Sequence, residues 1–415
     1  MNALAVEPLA ARPDATVVLP GSKSLTNRAL VAAALAEGTS RLEGALSADD
    51  TEAMVEGLRA LGVAMQVEGD AVVVEGGRRA AGPVEVDARL SGTSARFLLP
   101  VLALGDGPAT LDGAPPLRAR PMRPLLDALR SLGATVVGDA LPVTVRGPLQ
   151  GGTVRLPGDV SSQFLSGLLL AGPCLRGGLR VELTTPLVSA PYVAMTAAVM
   201  DAFGASVEGD GEAWVVPEGR YRAATYAIEP DASAASYFFA AAVLTGGRVT
   251  VPGLGPGTLQ GDLAFVDVLE RMGAVVERHD DRTTVAAGPR LTGIEADLSE
   301  LSDTAQTLAA VAVFADSPTR VRSIGFVRAK ETDRLAAVVR ELHRVGVQAE
   351  ETDDGFVVHP GTPRPAVVET YDDHRMAMSF ALLGLRVPGI AIADPGVVGK
   401  TFPGFWDALE GLRGG

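Results

Sequence analysis

The sequence predicts an α/β (α+β) protein of two domains. Each domain has three βαβαββ repeats whose buried helices are surrounded by sheets, like an α/β barrel turned inside out. Three observations predict this. A hydrophobic-Gly pair closes a charged helical pattern at Gly62, Gly133, Gly204, Gly273 and Gly346, with spacings of 71, 71, 69 and 73 residues. A second marker ends an Ala/Leu-rich run just before a strand, at Gly38, Gly107, Gly178, Gly247, Ser317 and Pro388, with spacings of 69, 71, 69, 70 and 71 residues. Each unit of about 70 residues also opens on a helix that is apolar nearly all round, as in 29–36, 164–171 and 232–244. A helix without a polar face is a buried helix.

Within a unit the elements follow in a fixed order. After the buried helix, a Gly turn leads to a short strand such as 248–251. An amphipathic helix comes next, as in 52–61, 124–132 or 333–345, and strands such as 63–67 and 71–74 close the unit. The sixth unit stops after its amphipathic helix, 405–412, while a strand at 16–19 has no unit of its own. The N-terminal segment is therefore expected to complete the sixth unit. This places the first domain at 21–228 and the second at 1–20 plus 229–415, joined by two chain crossings.

Composition excludes several classes of function. There is no run of about 18 uncharged apolar residues, so no membrane span is expected. Residues 1–12 carry acid and lack an apolar core, so they do not read as a signal peptide. The single cysteine, Cys174, cannot form an internal disulfide, which points to the cytoplasm. It ends an apolar helix and reads as a small buried side chain. His279, His343, His359 and His374 are scattered without HxxxH or HxH spacing, so no metal site is expected. A net charge of −14 disfavours nucleic acid as a partner but leaves room for an anionic small molecule held by local cations. Lysine occurs only at Lys23, Lys330 and Lys400, beside 33 arginines, which suggests that a compact ammonium is needed there.

The six buried helices start at Ser22-Lys23-Ser24, Ser91-Gly92-Thr93, Ser161-Ser162-Gln163, Asp231-Ala232-Ser233, Ser302-Asp303-Thr304 and Asp372-Asp373-His374-Arg375. These are capping residue types. Helix N-termini carry unpaired N–H groups and a partial positive charge, so two such faces across a hinge would form an anion-binding cleft. Lys23, Arg28 and Arg375 lie in or near first turns, where the dipole disfavours cations unless an anion offsets them. For Lys23 that anion is either a local acid, Asp49 or Asp50, or a bound ligand. Ser24 and Arg28, four apart, share a helix face, and Lys23 points away from it. Gly92 lets a ligand approach the backbone. Arg118 and Arg120 read either as a carboxylate clamp before a helix or as a solvated loop. Lys330 and Arg334 fall on one face of a helix opening near Lys330, with Glu331 and Asp333 suiting its first turn. Lys400 lies between the last strand and the last helix. GxxxxGK[ST] and GxSxG are absent.

The segments PGSKSLTNRA, SGTSAR, RARP, SSQFLSG, KETDR, YDDHRMAM and GKTFP resemble those of the EPSP synthase family, the 3-phosphoshikimate 1-carboxyvinyltransferases of the shikimate pathway and aromatic amino acid biosynthesis. They run in the family's order from about residue 16 to 406. The resemblance implies two three-repeat domains with the active site between them. It implies transfer of the enolpyruvyl group of phosphoenolpyruvate to the 5-hydroxyl of shikimate 3-phosphate by addition and elimination, with no metal or organic cofactor. By similarity, Lys23, Gly92, Arg120, Gln163, Arg334, Arg375 and Lys400 should hold phosphoenolpyruvate. Lys23, Ser24, Arg28, Ser161, Ser162, Gln163, Ser189, Asp303 and Lys330 should hold shikimate 3-phosphate. Asp303 and Glu331 are the implied acid/base pair, with Lys23 assisting. Tyr192, Thr93 and His374 are further candidates at the site.

The chain departs from the family pattern at Leu90 and Phe326, where many relatives carry Asn, and at Phe97, where Pro is common. A changed acceptor or a rewired pocket would each explain this. UDP-N-acetylglucosamine enolpyruvyl transferases share the fold but generally use a loop cysteine as acid, and the loop 117–124 has none. RNA 3′-phosphate cyclases have related repeats, but net charge argues against nucleic acid. An inactive anion-binding homologue would not need the acid/base pair. A monomer acting on small molecules is expected.

Overall fold

The computed structural model describes residues 3–77 and 82–414. It is a mixed α/β structure that divides into two compact units, Gly21–Glu229 and Met1–Pro20 with Pro230–Gly415. Each unit has its own hydrophobic core. Among the described residues the strands form five four-stranded sheets and one three-stranded sheet. No helix among them is long and apolar enough to cross a membrane.

In the unit Gly21–Glu229, three helices pack on one another: Lys23–Leu35, Gly92–Leu102 and Ser162–Ala171. Nearly every residue in them is buried, as expected of helices without a polar face. The surrounding sheets repeat one pairing rule. Val84–Asp87 runs parallel to Ala109–Asp112, which is antiparallel to Val143–Arg146, itself antiparallel to Thr135–Val137. Val84, Val86, Ala109, Leu111, Val143 and Val145 are buried, while their neighbours face outward. That alternation is the period of two of a sheet with one covered face. Amphipathic helices lie at Asp49–Ala60 and Arg123–Ser131, and the third helix in that position, Pro191–Ala202, is apolar along most of its length.

The other unit has buried helices at Ala232–Thr245, Ala305–Ala312 and His374–Gly384, again packed on one another. The strand expected at 16–19 lies instead at Asp14–Thr16, where it pairs in parallel with Arg248–Thr250. Val17 still donates to Thr250 O at 2.9 Å, but Val18 is 78% exposed and Pro20 has no N–H, so the pairing ends. The sheet holding Ile390–Ala393 is closed by Ala3–Val6, an antiparallel partner with no strong sequence signal. In the first unit the counterpart of Asp14–Thr16 is Thr225–Ala227, which pairs in parallel with Arg41–Glu43.

Five of the six buried helices are capped by the expected side chains: Ser22, Ser91, Ser161, Asp231 and Asp373 accept from backbone N–H groups. The fifth start in the sequence differs. Ser302–Thr304 forms a 3-10 turn before helix Ala305–Ala312, with no side-chain cap. The Asp303 carboxylate is engaged by cations instead.

Two of the buried helices make close backbone contact. A Cβ at Gly167 would lie 2.5 Å from Arg96 O, on the neighbouring helix. Gly167→Ala is expected to push helices Ser162–Ala171 and Gly92–Leu102 apart and to cost roughly 1–3 kcal/mol, read as a lower urea midpoint. An unchanged midpoint would show that the contact relaxes freely.

Candidate functional site

In the unit 1–20 with 230–415, the site is a packed cluster of charges around Arg334. Its Nε donates to Asp373 Oδ2 at 2.7 Å, Nη1 to Asp303 Oδ1 at 2.9 Å and Nη2 to Glu331 Oε2 at 2.8 Å. Lys330 Nζ meets Asp303 Oδ1 at 2.6 Å and Ser302 Oγ at 3.2 Å. Arg375 Nη2 meets Asp303 Oδ2 at 2.7 Å, and its Nη1 reaches the Tyr237 hydroxyl at 3.2 Å. Lys400 Nζ stands 4.0 Å from Glu331 Oε1, and His374 Nδ1 is 3.6 Å from Asp373 Oδ1.

Local structure explains the convergence. Asp373 caps helix His374–Gly384, accepting from Arg375 N at 2.9 Å. Asp333 caps helix Arg334–Arg344, accepting from Leu335 N and Ala336 N. Arg334 thus stands in the first turn, where three carboxylates offset the unfavourable dipole. The helix expected to open near Lys330 starts four residues later. Lys330 ends the 3-10 segment Gly325–Ala329, so Lys330 and Arg334 share no helix face. They meet through Asp303 Oδ1 instead.

Electrostatics follow from this crowding. Burial alone would raise the Asp303 carboxyl pKa, but Arg375, Lys330 and Arg334 hold it well below the usual carboxylate range. Burial lowers the Lys330 ammonium, although Asp303 opposes this. Burial would also lower Arg334, yet Asp373, Glu331 and Asp303 raise it. Burial lifts the Tyr237 phenol to about 12.

In the unit Gly21–Glu229, Lys23, Ser24, Gly92, Thr93, Ser161, Ser162 and Gln163 lie at the starts of the three buried helices, Arg28 a turn further along the first, Ser189 and Tyr192 at the start of helix Pro191–Ala202, and Arg120 between Pro115–Arg118 and Arg123–Ser131. Lys23 Nζ pairs with Asp50 Oδ2 at 3.2 Å, one of the two local acids expected near it. Arg28 is fully buried. It donates from Nε to Thr196 Oγ1 at 2.8 Å, from Nη1 to Ser24 O at 2.8 Å and from Nη2 to Tyr192 O at 2.9 Å. Burial without a carboxylate partner pulls Arg28 down to about 10. Gln163 is shared: Oε1 accepts from Arg96 Nη1 at 2.7 Å, and Nε2 donates to Thr93 Oγ1 at 3.1 Å. A Cβ at Gly92 would lie 2.7 Å from Arg120 Nη1, so only glycine lets that buried guanidinium sit there. Ser161 Oγ caps its helix at Gln163 N, with Ser162 buried beside it. Ser189 is buried with φ 54, a left-handed conformation that non-glycine residues seldom adopt.

Some expectations resolve differently. Arg118 ends the short helix Pro115–Arg118, half-exposed and bidentate to Asp112, so it is a solvated surface residue, while Arg120 is buried. Cys174 is only part-buried, at the end of the 3-10 turn Gly172–Cys174. Two of the departing side chains sit against cations. The Phe97 ring lies 5.1 Å from Arg28 Cζ, and the Phe326 ring 5.8 Å from Lys330 Nζ. Leu90 is part-buried, just ahead of Gly92. Sequence reasoning missed Arg96, Thr196 and Tyr237. Arg96 stands in the SGTSAR segment, whereas Thr196 and Tyr237 carry no signal beyond a polar group in an apolar helix. Among the described residues no three His, Cys, Asp or Glu side chains are arranged to hold a metal ion.

Cations gathered with carboxylates at and near helix starts suit a protein that binds anionic ligands. The chain belongs to the EPSP synthase (3-phosphoshikimate 1-carboxyvinyltransferase) family, whose profile matches residues 10–409. It is 45% identical to the 3-phosphoshikimate 1-carboxyvinyltransferase of Nostoc punctiforme and 43% identical to that of Trichormus variabilis, each over 98% of both chains. The solved EPSP synthase of Acinetobacter baumannii superposes with a TM-score of 0.84 at 26% identity, over 99% of this chain and 98% of that one. The chain is a transferase that places an enolpyruvyl group on 3-phosphoshikimate.

Replacing Asp303 leaves Lys330, Arg334 and Arg375 facing one another. Asp303→Asn is expected to cost about 3 kcal/mol at pH 7. A depressed folded pKa gives stability that is fully present above the unfolded value, about 3.9, and is lost as pH falls toward the folded value. The gap between the two proteins in urea unfolding should hold steady above about pH 5 and narrow toward pH 3. A gap that is constant down to pH 3 would mean that Asp303 does not titrate on unfolding.

Proposed function

We propose that Asp303 and Glu331 are the acid/base pair of this transfer. One observation carries the reading: the two carboxylates lie on different nitrogens of a single buried guanidinium, Arg334, and each has a lysine beside it. The attacking 5-hydroxyl of 3-phosphoshikimate must lose a proton while C3 of phosphoenolpyruvate gains one and the new C–O bond forms at C2. The ionised Asp303 takes the hydroxyl proton, and Glu331 supplies the other, with Lys23 assisting. In the second half, the C2–O bond to phosphate breaks, C3 returns its proton, and phosphate leaves. Preorganised cations stabilise the charge on that leaving group.

The binding roles follow the family pattern. Lys23, Gly92, Arg120, Gln163, Arg334, Arg375 and Lys400 hold phosphoenolpyruvate. Lys23, Ser24, Arg28, Ser161, Ser162, Gln163, Ser189, Asp303 and Lys330 hold 3-phosphoshikimate, with Tyr192, Thr93 and His374 bordering them. The charge of both substrates supports this, because each needs several cations or helix N-termini. The two groups of residues act on one pair of substrates. The working form is a cytoplasmic monomer. The Phe97 and Phe326 contacts to Arg28 and Lys330 support the unchanged acceptor, since both rings pack on cations that stay in place.

Inorganic phosphate release from phosphoenolpyruvate tests the acceptor. Release is expected with shikimate 3-phosphate and none with shikimate or UDP-N-acetylglucosamine. Silence with shikimate 3-phosphate would sink the reading and turn attention to Leu90 and Phe326. Glu331→Gln should keep both substrates bound, by calorimetry, while turnover drops on the order of a hundredfold or more. Turnover near the parent's would remove Glu331 from proton transfer.

A further inference from the structure

The mechanism above does not use Glu341. This carboxylate lies on helix Arg334–Arg344, two turns beyond Arg334, and is fully buried. All its contacts hold one loop or shield its charge. Oε2 accepts the backbone N–H of Glu369 at 2.9 Å and lies 2.7 Å from Arg344 Nε. Oε1 accepts the Tyr371 hydroxyl at 2.5 Å. Arg340 Cζ covers the Tyr371 ring at 5.5 Å.

The loop so held is strained. Tyr371 and Asp372 are consecutive non-glycine residues in the left-handed region, at φ 55 and 56. Such a pair persists only where its surroundings over-determine it. Asp373 comes next and is bound by Arg334, at the other end of the same helix. Arg375 follows two residues later. One helix therefore grips segment 369–375 at two points. A residue that merely filled this space would be apolar, because a buried carboxylate adds little net stability over a hydrophobic side chain.

We propose that Glu341 is a positioning residue. It holds the Tyr371–Asp372 turn so that the Arg375 guanidinium is aimed at Asp303 and at phosphoenolpyruvate. This rests on the assignment of Arg375 to phosphoenolpyruvate made above. Glu341 itself touches no substrate.

Steady-state kinetics of four variants test it, with folding checked by circular dichroism. Glu341→Gln and the milder Tyr371→Phe should raise KM for phosphoenolpyruvate by about tenfold or more and leave KM for 3-phosphoshikimate within about twofold. Adding Asp372→Gly to Glu341→Gln should recover part of the loss, since glycine adopts φ 56 without cost. Arg375→Ala is the reference. If it leaves KM for phosphoenolpyruvate unchanged, the assignment of Arg375 fails. If it raises that KM while folded Glu341→Gln and Tyr371→Phe do not, the positioning role of Glu341 is overturned. A fall in kcat that only tracks the folded fraction, with both KM values unchanged, would overturn it equally.

Discussion

Removing the Arg334 guanidinium from water shapes the unit that contains it. Its side chain is 3% exposed, and an unpaired charge so placed costs several kcal/mol. Asp373, Asp303 and Glu331 each take a different face of it. These carboxylates need further cations in turn, which Lys330, Arg375 and Lys400 supply. Four cations thus stand against three carboxylates, and the excess is positive. That balance suits a pocket for anions, and it ties the cap of one helix, the start of a second and the 3-10 turn before a third into one network.

The other unit handles its most deeply buried arginine, Arg28, with neutral acceptors. Arg28 donates to two backbone carbonyls and a threonine hydroxyl, and it lies against the Phe97 and Tyr192 rings. Neutral acceptors offset burial less than anions do, which is why Arg28 falls to about 10 while Arg334 rises. Arg28 still carries its charge at neutral pH. Its hydrogen bonds fix the carbonyls of Ser24 and Tyr192 and thereby join helix Lys23–Leu35 to helix Pro191–Ala202. One arginine organises charges, and the other organises backbone.

Much of this was legible in the sequence because it follows from periodicity and local chemistry. Helices apolar on all sides are buried, and five of the six polar starts cap them. The candidate site residues were proposed from motif resemblance, and the dipole argument marked Lys23 and Arg375, which the structure places beside Asp50 and Asp303. Long-range choices were not legible. Ala3–Val6 is too short and ordinary to announce its pairing with Ile390–Ala393. Asp303 reads as a cap, and only the arrival of Lys330, Arg334 and Arg375 diverts it. Tyr237 sits in a stretch of small and apolar residues and Glu341 is one of several charges in its helix, and their partners lie 138 and 30 residues away.

Backbone strain links fold to site. Among the described residues, the non-glycine positions at positive φ are Arg89, Ser189, Ser323, Tyr371, Asp372 and Asp394. None falls inside a helix or strand. Each belongs to a segment that leads into candidate site residues: Arg89 before Gly92, Ser189 before Tyr192, Ser323 before Lys330, the pair 371–372 before Asp373 and Arg375, and Asp394 before Lys400. The cause is geometric. A chain leaving a sheet must reverse sharply to start a helix or deliver a side chain at its end, and a left-handed residue makes that turn in the fewest steps. Glycine would do so at no cost but would also leave the loop free in its other conformations. A side chain there accepts strain and narrows what the loop can do. Tyr371 shows the consequence, since the residue that bears the strain also supplies the hydroxyl that Glu341 uses to hold it. The strain therefore persists because the neighbouring helix restrains it, and the direction of Arg375 is set by that restraint together with the Asp373 cap.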